Sequence, residues 1–238
     1  MRSSPSGADP LPPGPVGFTH RGLHGAGVPE NSLAAFRAAL RIGAGIECDL
    51  RLSADEEAML FHDADLRRMC GSPDAVGSLT SAALASKRLA GGPERIPRLA
   101  ELLALVGRRV PLLLELKTER GNAGRFCAAV ARAIGGLPGP TAVMSFDPAV
   151  GVWLARHRPD IRRGLVLSGR DSAFGRWLKI MRARPQFLAV KLSQIGLPWV
   201  ERERWTKPVY VWTVRTPDEA AWVALRADAS IWEADGRP

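Results

Sequence analysis

The sequence predicts an α/β protein: an eight-stranded parallel β/α (TIM) barrel with a very short insertion after strand 2 and no clear final helix. Three observations predict it. Short apolar runs alternate with longer helical patterns along the chain. Eight such runs fit into about 220 residues, close to the roughly 250 typical of this barrel. Runs such as Pro111–Leu116 and Thr141–Phe146 are apolar on both faces, as parallel strands buried between helices are.

The apolar runs, in order, are Val16–Thr19, Gly45–Leu52, Val110–Leu116, Thr141–Phe146, Arg163–Leu167, Phe187–Leu192, Pro208–Val214 and Ser230–Trp232. Helical patterns fall between them, over Ser32–Ile42, Arg98–Val106, Arg125–Ile134, Ala149–Arg156, Phe174–Ala183, Pro198–Trp205 and Pro217–Arg226. Asn31 or Ser32 can cap the first helix. Asp147-Pro148 and Thr216-Pro217 each set a capping side chain before a proline in the first turn. Gly43, Gly107 and Gly135 follow helix ends. Leu52–Met69 breaks the alternation: residues 54–57 read as a turn and Met59–Phe61 as a short return strand, a hairpin excursion after strand two. The first strand–helix turn lacks a GxGxxG pattern, which argues against a dinucleotide site. Residues 1–15 are rich in Pro, Gly and Ser and read as a disordered leader before a single domain over 16–238.

Composition excludes several classes. No run of eighteen apolar residues is present, so nothing is expected to span a bilayer. The N-terminus lacks the apolar core of a secretory signal, and the expected location is cytoplasmic. Cys48, Cys70 and Cys127 form no C-x-x-C pair, so neither a disulfide framework nor a thiolate zinc site is implied. The net charge of +9 is concentrated: Leu154–Lys207 holds 13 Arg or Lys against four Asp or Glu, an excess of nine. That suggests a polyanion, an anionic membrane surface, an anionic substrate or simply a solvated basic face. A single tyrosine and the lack of a recognition motif argue against nucleic acid. Within the basic stretch, Phe174, Trp177, Leu178 and Met181 share one helical face, so residues 174–184 could either meet an anionic membrane or pack on the barrel.

Catalytic groups of a β/α barrel sit at the C-terminal ends of its strands. Here the first run ends in His20-Arg21, the second contains Glu47-Cys48-Asp49, the return strand leads into His62-Asp63, and the third ends in Glu115-Leu116-Lys117. Residues two apart share a face, so Glu47 and Asp49 point one way, as do Glu115 and Lys117. Three clustered carboxylates repel one another. Either Arg51 or Lys117 pairs with them, or a hard divalent cation, Mg²⁺ or Ca²⁺, binds there. His20 and His62 beside that cluster suit acid–base chemistry at neutral pH. A cation together with Arg21 and Lys117 suggests an oxyanion such as phosphate. His24, in a Gly-rich turn, and His157, on a helix surface, read as structural.

These stretches resemble the glycerophosphodiester phosphodiesterase family. The resemblance rests on His20-Arg21-Gly22, Pro29-Glu30-Asn31-Ser32, Glu47-Cys48-Asp49, and His62-Asp63 with Leu66, Arg68 and Gly71. It continues through Ile96-Pro97-Arg98-Leu99, Glu115-Leu116-Lys117, Ser145-Phe146 and Trp212-Thr213-Val214. It implies a metal-dependent hydrolase that cleaves small glycerophosphodiesters to glycerol 3-phosphate and an alcohol. In that pattern Glu47, Asp49 and Glu115 are metal ligands, and His20 and His62 are the acid and base. Arg21 and Lys117 hold phosphate, and Trp212 lines the glycerol or leaving-group pocket. Alternatives are a phospholipase-D-like or cyclising lyase, and an inactive membrane-associated barrel. Two departures stand out. The family's T-D-x-P is replaced by Ile231–Pro238, and Arg215 follows W-T-V where the family has asparagine. The short insertion also predicts a more open pocket.

Overall fold

The apolar runs pair edge to edge until the first meets the last. The computed structural model describes residues 11, 14–119, 121–135 and 139–238. Its strands are β1 (Phe18–Thr19), β2 (Gly45–Leu52), β3 (Ala58–Leu60), β4 (Leu112–Leu116), β5 (Thr141–Ser145), β6 (Arg162–Leu167), β7 (Phe187–Lys191), β8 (Val209–Val214) and β9 (Ala229–Trp232). β1 pairs in parallel with both β2 and β9, and β2, β4 and each later strand pair in turn, so the eight parallel strands close into a barrel. β3 alone is antiparallel: it returns along β2 with Leu50 opposite Leu60, the expected hairpin excursion.

The helices are α1 (Leu33–Arg41), α2 (Arg67–Cys70), α3 (Ser81–Ser86), α4 (Leu99–Val106), α5 (Ala123–Ile134), α6 (Pro148–His157), α7 (Ala173–Ala183), α8 (Pro198–Glu203) and α9 (Pro217–Ala224). Their starts follow the sequence signals. Ser32, Asp147 and Thr216 accept the N–H of Ala35, Ala149 and Glu219. No helix follows β9 among the described residues, as expected. None is long and apolar enough to cross a membrane.

Alternation along the strands separates two interiors. Ile46, Cys48 and Leu50 point outward and pack with Phe36, Leu99 and Leu102 under the helices. Inside the barrel, Phe18, Leu113, Met144, Phe187 and Tyr210 form a second apolar cluster. Charged residues then occupy the inward positions further along β2 and β4, so the lumen is apolar below and ionic at the C-terminal strand ends.

Two features depart from expectation. α2 and α3 lie between β3 and α4, where the sequence showed no clear element. They close a small core of Met59, Phe61, Leu66, Val76, Leu84, Leu89 and Ile96, so the short insertion is a packed lobe. Of the expected leader, residues 1–10 and 12–13 lie outside the described residues. Leu11 does not behave as leader: it is 1% exposed and joins Phe18, Phe187 and Tyr210 in the lumen cluster. An apolar barrel floor must be shielded from water, and a leucine does so.

Candidate active site

The two-residue spacing in β2 turns Glu47 and Asp49 into the lumen, each 1% exposed. The β2–β4 register sets Asp49 beside Glu115 and Glu47 beside Leu113. One oxygen from each of Glu47, Asp49 and Glu115 lies within 4.8 Å of the others. Lys117, two residues past Glu115, reaches back with Nζ 2.6 Å from Glu115 Oε1 and 3.1 Å from Asp49 Oδ1. Arg21 places Nε 2.9 Å from Asp49 Oδ2, and its backbone N–H donates to Glu47 Oε2 at 3.1 Å.

Asn31, expected as a possible cap, does something else. Its amide donates to Asp49 Oδ2 and its Oδ1 accepts the Asp49 backbone N–H, both at 3.1 Å. Arg51 does not meet the carboxylate cluster. It donates to the carbonyls of His62 and Lys117 and ties those two loops together.

The charges do not balance. Two cations, Arg21 and Lys117, face three carboxylates. Burial, then Asp49 and Glu115, push the Glu47 carboxyl well above its usual range. Although burial opposes it, Lys117 and then Arg21 hold Asp49 far below the carboxylate norm. Burial raises Glu115 against the pull of Lys117. With all three ionised, this buried all-oxygen donor set carries one negative charge more than Arg21 and Lys117 supply, so the residues present fit a hard divalent cation.

The two histidines are each oriented by a carboxylate. His62 Nδ1 lies 2.7 Å from Asp63 Oδ1, and His20 Nδ1 lies 2.5 Å from Glu233 Oε2. Asp63 is held low by Arg68 and His62, against burial, and Glu233 is held far below the usual range by hydrogen bonds with His20 and His24. Both are therefore ionised acceptors. Each ring donates from Nδ1 and keeps Nε2 for other contacts. Burial lowers the His62 pKa despite Asp49, which leaves its imidazole neutral at pH 7.

An ionic chain links these parts. Asp63 accepts from Arg68 Nε at 2.6 Å, Arg68 grips Glu30 at 2.7 Å, and Glu30 accepts from Arg21 at 2.8 Å. Glu30, Asp63 and Arg68 stood in the sequence pattern without a role; here they lock Arg21 and His62 in place. Glu233 was not singled out at all. It sits just past β9, 213 residues from His20, and the two meet because β1 pairs with β9. Its other oxygen accepts from Arg215 at 2.7 Å, so Arg215 is committed to Glu233. His24, read as structural, joins this group with Nε2 3.5 Å from Glu233 Oε2. His157 stays on the surface, stacked on Trp153.

A cavity of about 170 Å³ opens among these groups. His20, Arg21, Glu47, His62, Glu115 and Lys117 form its charged side; Met144, Phe146, Trp212 and Ile231 form its apolar side. Trp212 is fixed by its indole N–H to the Ala189 carbonyl and meets Phe146 edge to face. No lining residue comes from 63–97.

Gly22 explains the tight turn after His20-Arg21. Its φ is +79°, and a Cβ there would sit 2.8 Å from Ala35 Cβ and 2.9 Å from the Phe36 ring. Gly22→Ala is expected to cost about 1–3 kcal/mol through strain and overpacking, read as a lowered melting temperature.

Comparison with known proteins relates the chain to glycerophosphodiester phosphodiesterases. A glycerophosphodiester phosphodiesterase from Caldanaerobacter subterraneus subsp. tengcongensis is 35% identical over 111 residues, covering 42% of this chain and 44% of that protein. One from Bacillus altitudinis is 34% identical over 109 residues, covering 43% and 44%. These matches thus span under half the length of the curated relatives. Among solved structures, an Oleispira antarctica phosphodiesterase in complex with the product sn-glycerol-3-phosphate superposes with a TM-score of 0.81 at 24% identity over 91% of each chain. A glycerophosphodiester phosphodiesterase from Agrobacterium tumefaciens superposes at 0.72 with 25% identity, over 92% of this chain and 96% of that one. Both share the barrel fold. The sequence profile of the glycerophosphoryl diester phosphodiesterase family matches residues 20–228, and on that match the chain belongs to this family.

Proposed function

We propose that the chain is a metal-dependent phosphodiesterase that hydrolyses glycerophosphodiesters to glycerol 3-phosphate and an alcohol. The observation that carries this reading is the buried Glu47–Asp49–Glu115 cluster, of which Glu47 and Glu115 line one cavity with two carboxylate-oriented histidines. Glu47, Asp49 and Glu115 would hold Mg²⁺ or Ca²⁺, which when bound supplies Lewis-acid polarisation of a phosphate oxygen. Arg21 and Lys117 donate to the phosphate from the same side. The Phe146–Trp212 wall seats the glycerol or the leaving group.

His62, neutral at pH 7, takes the proton of the attacking oxygen, and His20 protonates the leaving alkoxide. Asp63 and Glu233 fix the two rings. Incubation with glycerophosphocholine, -ethanolamine, -inositol and -glycerol, read by ³¹P NMR, is expected to give glycerol 3-phosphate. A cyclic glycerol phosphate as end product would favour the cyclising lyase, and no product from any of them would sink the reading.

Two further outcomes follow. A base whose pKa is lowered stays unprotonated further into acid. The acid limb of kcat/KM should therefore fall below the ordinary imidazole value of about 6.5, and a limb above that value would contradict His62 as the base. Glu233→Ala should lower kcat by about 10–100-fold with KM little changed, because it frees the His20 ring rather than a substrate contact.

A further inference from the structure

α7 is turned the wrong way for an ordinary barrel helix. In α5, Phe126, Cys127 and Val130 face the barrel and are buried. In α7, Ala183 alone is fully buried. Phe174, Trp177, Leu178 and Met181 are 70%, 54%, 42% and 57% exposed, and their spacing makes one continuous outward stripe. Phe174 and Trp177 stack on one another at 5.8 Å. The Arg176 guanidinium lies over the Trp199 ring at 4.3 Å and ties α8 to α7. Soluble surfaces rarely leave so many large apolar groups together without use.

The collar around the stripe is basic. Residues 168–184 hold Arg170, Arg176, Lys179, Arg182 and Arg184 against Asp171, which Lys179 already pairs at 2.7 Å. The other three acids of 154–207 are likewise taken, Asp160 by Arg158, Glu201 by Arg204 and Glu203 by Lys207. The excess of nine charges therefore has no acidic counterpart within the stretch that creates it. A second copy meeting this face about a two-fold axis would set one basic collar against the other. A nucleic acid would stack on Phe174 and Trp177 but offers nothing to Leu178 and Met181.

An anionic bilayer satisfies both parts, with acyl boundary for the stripe and phosphate for the arginines. We propose that the outward stripe of α7 docks the protein on anionic lipid bilayers. Because α7 begins after the C-terminal end of β6, Phe174 lies toward the barrel end that holds the cavity.

The test is flotation with vesicles of two parts phosphatidylcholine to one part phosphatidylglycerol, against pure phosphatidylcholine. The full chain should float with the anionic vesicles, less so as salt rises. Phe174→Ser/Trp177→Ser and Arg182→Glu/Arg184→Glu should each weaken binding at least about 10-fold. Both variants should keep wild-type circular dichroism and wild-type turnover of a soluble glycerophosphodiester, so failure here is separable from failure of the catalytic reading. Three results would overturn the proposal: no flotation of the wild-type chain, equal flotation of both variants, or tighter binding to a single-stranded DNA oligomer than to the vesicles.

Discussion

Glu47→Gln is expected to reduce turnover by about 10³-fold while leaving thermal stability in chelator unchanged or raised. The two halves come from one cause. Burial and the neighbouring Asp49 and Glu115 hold the Glu47 carboxyl well above its usual range. A carboxyl with a folded-state pKa above its unfolded value takes up a proton on folding, so ionising it at neutral pH works against the fold. Glutamine removes that charge, keeps the shape, and retains an acceptor for the Arg21 N–H. Asp49 is different, because its charge is gripped by Arg21, Lys117 and Asn31. The fold therefore has no use for Glu47's charge, whereas a bound cation would. Losing one ligand of a Lewis acid worth several kcal/mol gives the expected drop in rate. Parallel melting and turnover measurements check it. Retained turnover, or a large stability loss with chelator present, would remove Glu47 from the metal site.

His62→Ala and His20→Ala should each lower kcat by about 10²–10⁴-fold with the fold intact. The structure gives a reason to expect folding. Without His62, Asp63 keeps Arg68; without His20, Glu233 keeps Arg215. No buried charge is stranded in either variant, so the usual penalty for breaking an ion pair is avoided. Added imidazole should restore part of the His62→Ala rate, which a merely structural role would not allow. Circular dichroism and steady-state kinetics together decide it, and near-normal kcat in either variant would end the acid–base assignment.

The barrel was legible in the sequence because each of its strands is a local signal. Apolar runs and capping residues are read one segment at a time, and the eight predicted runs became eight barrel strands within a few residues. The carboxylate cluster was legible for a similar reason. A period of two along β2 and β4 fixes which residues share the lumen, and only the register of Asp49 beside Glu115 had to be supplied by the fold. Glu233 was out of reach, since its partnership with His20 exists only once β9 closes on β1. The bonds of Glu30 to Arg21 and Arg68 likewise join segments through the fold of the loops. Helical periodicity showed that α7 has an apolar stripe but not which way the stripe faces. Its inner side rests on Ile180 and Ala183, which frees the larger side chains to face outward.

The most direct test of a carboxylate-held divalent cation driving glycerophosphodiester hydrolysis is one titration. The full chain is stripped with chelator, assayed for release of glycerol 3-phosphate from glycerophosphodiesters, and then titrated with Mg²⁺ or Ca²⁺. The account predicts loss of activity on stripping and recovery on titration in the wild-type chain, with no recovery in Glu47→Gln. Undiminished release of glycerol 3-phosphate in chelator would contradict it.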